Sequence, residues 1–148
     1  MAKRCWFLSI VYISVIAFLP VMMGWTTVAQ HGASVLEFIR HFTNVVPLRG
    51  IAESVSIVLE TGRIAYLTRY ALNLFVLIPA GLLCGLNRRQ LKDTAVQYSV
   101  VLMLIYGLRV ILKLGSFDVD DILLNLLGLS MGWLLGNRIA KVVRDNSE

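Results

Sequence analysis

Three aspartates dominate the chemistry available to this chain. Asp118, Asp120 and Asp121 lie in the run Ser116-Phe117-Asp118-Val119-Asp120-Asp121-Ile122-Leu123-Leu124-Asn125-Leu126-Leu127-Gly128. Paired carboxylates serve as acid and base, or hold a hard cation through oxygens. Spacing alone selects neither, and no Ser-His or Cys-His nucleophile accompanies them. On a helix, Asp118, Asp121, Asn125, Gly128, Gly132 and Gly136 follow at intervals of 3, 4, 3, 4 and 4 residues. At ~100° per residue they share an arc of about 80°. One face is therefore polar at its mouth and small below, while Asp120 points to another neighbour. Carboxylates at the edge of hydrocarbon are costly unless hydrated or paired, so this stripe is the leading functional candidate. A plainer reading has Asp118 cap the helix while Asp120 and Asp121 complement its dipole. Capping accounts well for one aspartate and poorly for three. Gly128, Gly132 and Gly136, four residues apart, read as a surface for close helix approach.

The elements that must carry these residues are membrane spans. Hydrophobic residues make up 57% of the 148 and charged residues 16%, with a mean hydropathy of +0.74. That is more apolar than a soluble domain's surface allows. Four spans are expected, near residues 5–28, 68–86, 94–114 and 121–140, in an all-α integral membrane protein of one domain covering residues 1–148. Cys5 to Gln30 holds no charge and exceeds the roughly 20 residues a span requires. Lys3 and Arg4 before it also suit a signal peptide, but a signal core is usually only ~7–15 residues.

Charge sets the expected orientation. Lys3, Arg4, Arg88, Arg89, Lys92, Arg138, Lys141 and Arg144 fall on alternate segments, offset by Asp93, Asp145 and Glu148. The whole net charge of +5 is thus on one side, which the positive-inside tendency makes the cytoplasm. Both termini are expected there, and the acidic motif faces outward. The basic balance reflects topology and calls for no nucleic acid. The outer loop, residues 31–67, holds two amphipathic segments. Val35, Leu36, Phe38, Ile39 and Phe42 suggest one short helix; Leu48, Ile51, Val55, Val58 and Leu59 suggest a second, closed by Gly62. Such segments either pack over the mouth of a bundle or lie on lipid.

Polar residues on the other spans need partners. Arg69 and Asn73 are one turn apart, as are Asp121 and Asn125, and both pairs descend from the outer surface. Arg69 is expected near Asp121 or Asp118, with Asn73 near Asn125. Pro79, in a stretch that also holds Gly81, cannot donate to the carbonyl of Phe75, so a kink is expected there. Arg109, with Tyr106 beneath it, either snorkels to the surface or faces the aspartates. His31 and His41 read as solvated loop residues, and Cys5 and Cys84 as apolar packing with no disulfide. No metal-ligand spacing is present and no cofactor is implied.

Three blocks of this sequence resemble the VanZ-like family of bacterial membrane proteins. Asn44-Val45-Val46-Pro47-Leu48 resembles its Asn-x-x-Pro-Phe element, with Leu48 replacing the aromatic. Asn73 to Gly81 resembles its Asn-x-x-x-Phe-x-Pro-x-Gly span at slightly different spacing. Ser116 to Gly132 closely resembles its Phe-Asp-x-Asp-Asp signature followed by Asn and Gly. The chain departs from the family at Tyr106 and Arg109, where a glutamate and a glutamine are usual.

The resemblance implies a multi-pass protein of the bacterial cytoplasmic membrane, in a family linked to resistance to teicoplanin-type lipoglycopeptides. It points to an envelope protein whose outer cluster binds an amphiphilic or lipid-linked ligand. Asp118, Asp121 and Asn125 are then expected to contact polar groups, with Arg69 and Arg109 setting local charge. Membrane lipids are the expected surroundings. Other classes stay open: an interfacial enzyme with an aspartate general base, a small oligomeric transporter, or a structural subunit of a membrane complex.

Overall fold

The computed structural model describes residues 34–113 and 115–146. In chain order the elements are α1 (Val35–Phe42), β1 (Thr43–Asn44), α2 (Arg49–Thr61), α3 (Ala65–Val76), α4 (Ile78–Leu86), α5 (Leu91–Ile111), β2 (Phe117–Asp118) and α6 (Val119–Asp145). The expected span at residues 5–28 lies outside the described residues, as do His31 and the N-terminal charges. Three helical stretches among the described residues are long and apolar enough to cross a membrane: Ala65–Leu86, Leu91–Ile111 and Val119–Asp145.

Each begins two or three residues before the expected start, with charged residues in the first turn of the second and third, Lys92 and Asp93, and Asp120 and Asp121. The stretch expected to reach residue 114 stops at Ile111. Lys113 adopts a left-handed backbone with φ of 56°, which turns the chain out of the helix. The last helix runs beyond the expected 140 to Asp145, with Arg144 in its final turn, where a cation complements the dipole. The kink expected at Pro79 is a break between α3 and α4 at Leu77, whose φ and ψ are −97° and 2°. Pro79 then falls in the first turn of α4, where a missing N–H leaves no intrahelical bond unmade.

α6 is the central helix and packs against α3, α4 and α5. Its contact with α3 and α4 is backbone on backbone. A Cβ on Gly128, Gly132 or Gly136 would collide with the carbonyl oxygen of Leu74, Ile78 or Leu82, respectively. The fit is reciprocal, since a Cβ on Gly81 or Gly85 would strike the carbonyl of Leu129 or Trp133. Small residues let two helix axes approach this closely. The buried core beside this seam includes Leu77, Ala80, Cys84, Leu102 and Leu129. At one end Trp133 donates its indole N–H to the Arg89 carbonyl at 2.7 Å, tying the α4–α5 turn to α6.

The loop helices lie at the other end of the bundle and pack on it. Ser34 and Glu37 form a capping box at the start of α1. The hydrogen bonds from Ser34 hold the Glu37 carboxyl below its usual range, the backbone N–H first among them. Phe38 is buried at 1% exposure and stacks on Phe42 with ring centres 4.4 Å apart. Gly62 closes α2 with φ of 70°, a conformation that costs glycine little. β1 and β2 pair in parallel, Thr43 opposite Phe117 and Asn44 opposite Asp118.

Candidate functional site

Asp118 is the N-cap of α6, and its Oδ1 accepts the backbone N–H of Asp120 at 3.0 Å. The same oxygen accepts from Asn44 Nδ2 at 3.1 Å, which brings the end of β1 to the start of α6. Its Oδ2 accepts from Arg69 Nη2 at 2.9 Å. One turn on, both oxygens of Asp121 accept from Arg69 Nε at 3.1 Å, and Oδ2 also accepts from Nη2. Arg69 therefore clamps both aspartates with one planar fork, the geometry that guanidinium offers a carboxylate. The Arg69 side chain keeps 45% of its surface exposed while the two carboxylates are almost enclosed. The cation is thus the solvated member of the cluster.

Asp120 turns the other way and is fully buried. Its Oδ1 accepts the N–H of Leu48, and its Oδ2 accepts the N–H of Ile51 at 3.2 Å. Leu48 is the N-cap residue of α2 and has no cap of its own; its φ is 66°. Ile51 is the third residue of that helix. These are the two donors that a capping box normally satisfies from within the helix. Here one aspartate, 69 and 72 residues away in sequence, satisfies both. Gly50 lets α2 come this close, since a Cβ there would sit 2.8 Å from the Tyr70 hydroxyl and 3.0 Å from Asp118 Oδ2.

Below the aspartates, Asn73 and Asn125 meet through an intermediary. Asn125 Nδ2 donates to the Tyr106 hydroxyl at 3.5 Å, and that hydroxyl donates to Asn73 Oδ1 at 3.5 Å. The expected approach of the asparagines is thus mediated by the Tyr106 hydroxyl. Asn125 is anchored more firmly to the Asp121 carbonyl at 2.7 Å. Arg109 makes no ion pair among the described residues. Its guanidinium lies over the Tyr106 ring, 5.4 Å from the centroid, and packs against Gly115. Arg109 borders the same space as Asp118 and Asp121 without pairing with either, while Arg69 engages their oxygens.

These residues border a cavity of about 970 Å³. Arg69, Asn73, Arg109, Asp118, Asp121 and Asn125 all line it, whereas Asp120 stands behind the wall. Leu72, Val76, Leu77, Leu102 and Ile105 form an apolar side, and Arg40 and His41 from the end of α1 lie at its margin. Gly128, Gly132, Gly136 and Gly81 contribute no lining and act in the helix seam, and Pro79, also outside the lining, is exposed in the first turn of α4. Among the described residues no group of three or more His, Cys, Asp or Glu side chains is placed to hold a metal ion.

Residues 6–140 match the family model described as VanZ/LLP1. The chain belongs to the VanZ/LLP1 family. No curated protein and no solved structure gives a significant match. The family match spans every described helix up to Ala140 and the whole residue cluster of this VanZ/LLP1 membrane protein.

Several residues of the cavity region carried no sequence signal of their own. Tyr70 and Ser54 join α2 to α3 through a 3.3 Å hydroxyl contact, and Gly50 and Gly115 give space to Asp118 and Arg109. A glycine at the second position of an amphipathic helix was the available cue for Gly50. Nothing local marked Tyr70.

Proposed function

We propose that this VanZ/LLP1 protein binds an amphiphilic or lipid-linked molecule of the bacterial envelope at the outer face of the cytoplasmic membrane. The observation carrying this reading is a single cavity with a polar cluster on one side and aliphatic side chains from two spans on the other. Its volume is at the upper end of the ~300–1,000 Å³ common for small-molecule sites. An amphiphile needs both surfaces, and α1 and α2 partly roof them. The engagement of Asp118 and Asp121 by Arg69 favours binding over general-base chemistry, since a base must offer a lone pair to its substrate. In this reading both termini are cytoplasmic, and the cavity meets the compartment where lipoglycopeptides act on wall precursors. Altered susceptibility to teicoplanin-type drugs is the proposed physiological consequence.

The test is teicoplanin susceptibility of a Gram-positive host expressing the native chain or Ile105→Trp, with both quantified in membranes. The indole would fill the apolar side without touching the aspartates. Protection by the native chain that disappears in an equally abundant variant is the expected result. Equal protection by both would remove the cavity from the activity.

A further inference from the structure

The polar side of the cavity is unequal in what it still offers a ligand. Asp118 accepts from Asn44, Arg69 and the Asp120 amide. Asp121 accepts along the whole edge of the Arg69 fork. Arg49 is paired with Glu53 at 2.8 Å. Arg109 differs from all of these: its Nε is buried and has no acceptor among the described residues, although the residue lines the cavity. The guanidinium is seated between the Tyr106 ring and Gly115. Arg40, at the cavity margin, also makes no ion pair among the described residues. Among the described residues four arginines and three carboxylates line the space, an excess of positive charge.

We infer that the cavity takes an anionic headgroup of the phosphate-monoester class, with Arg109 as its principal donor, Arg40 as a second charge at the margin, and the hydrocarbon tail along Leu102 and Ile105. The inference rests on the amphiphile reading above and reassigns its polar contact. The aspartates build the site and Arg109 recognises the ligand. A guanidinium fork matches phosphate oxygens in pairs. A cationic headgroup would instead have to displace Arg69 from Asp121. Of the Arg109 guanidinium nitrogens, only Nε is both buried and unpaired among the described residues, so the terminal nitrogens are the ones an anion in the cavity would meet.

The experiment uses the full chain purified in detergent and measures binding of dodecyl phosphate, dodecyltrimethylammonium, a neutral dodecyl glycoside and inorganic phosphate. Dodecyl phosphate is expected to bind at least about tenfold more tightly than the cationic and neutral analogues. Arg109→Gln is expected to weaken it roughly 10- to 100-fold, the range for one charge-assisted hydrogen bond, with Arg109→Lys between the two. Equal binding of all three dodecyl compounds, each lost in Ile105→Trp, would keep the amphiphile cavity and overturn the anion assignment. No binding of any dodecyl compound would overturn both. Inorganic phosphate binding as tightly as dodecyl phosphate would keep Arg109 as an anion site and refute the lipid-linked reading. If Arg109→Gln fails to fold, the headgroup comparison on the native chain decides alone.

Discussion

Replacing Asp120 by asparagine tests whether one side chain of α6 holds the start of α2. The substitution preserves shape and removes charge. Each carboxylate oxygen accepts one backbone N–H, from Leu48 and Ile51. An amide has one acceptor oxygen, so its NH₂ must point at one of those donors. The variant loses a charge-assisted hydrogen bond and opposes donor to donor in a fully buried position. A lost bond of this kind with an orphaned partner costs about 2–3 kcal/mol, which is roughly 30- to 150-fold in an opening equilibrium. Hydrogen exchange followed by mass spectrometry should show that loss of protection in peptides covering residues 48–52. Peptides from α5 and the latter half of α6 should keep their native rates. Asp145→Asn, at the far end of α6, serves as the control. Unchanged exchange at Leu48 and Ile51 in Asp120→Asn would refute the long-range cap. A uniform loss across every helix would show a general collapse instead.

Three further outcomes follow from the packing. Arg69→Gln leaves two enclosed carboxylates facing each other without their cation, a change that costs ~3–5 kcal/mol for fully buried pairs. Partial exposure of Arg69 lowers the expectation to about 2 kcal/mol, read as a drop in melting temperature in detergent that Asp121→Asn in the same chain partly restores. Gly132→Ala should lower the melting temperature, because the new methyl meets the Ile78 carbonyl. Gly107→Ala, with nothing within 4 Å of the added Cβ, should be neutral or stabilise by up to ~1 kcal/mol; equal effects at the two glycines would contradict the seam. Tyr106→Phe removes two long hydrogen bonds and should cost only about 0.6 kcal/mol, the average for polar contacts between membrane helices.

What the sequence disclosed and what it hid divide along physical lines. Periodicity and hydropathy are local, so the helices in the loop and the three long apolar helices were readable, with boundaries missed where a backbone dihedral rather than polarity ended the helix, as at Lys113. The pairing of Arg69 with Asp118 and Asp121 was legible because an unpartnered charge in a span must find its opposite, and matched depth on two helices left few choices. The Asn73–Tyr106–Asn125 relay was not, since the ring of Tyr106 decides it and ring placement depends on packing across three helices. The cap on α2 was hidden for a different reason. A missing local cap is visible in Leu48-Arg49-Gly50-Ile51, but its substitute is set by tertiary contact alone. Arg109 was recognised as needing a partner, and its lodging on Tyr106 follows only once Arg69 has taken the aspartates.

The short parallel pairing of Thr43–Asn44 with Phe117–Asp118 has a consequence for how the protein is made. Asn44 and its partner Asp118 are 74 residues apart, and the intervening chain includes the two stretches Ala65–Leu86 and Leu91–Ile111. At ~5–20 residues per second of synthesis, the first strand waits on the order of 4–15 seconds for the second to emerge. During that interval the loop helices have no α6 to rest on, and a lone helix of this length is marginal in water. The strand pair therefore closes only after both intervening stretches have been made. The cavity wall that Asn44 and Asp118 share is thus a late product of synthesis, built from segments far apart in the described chain.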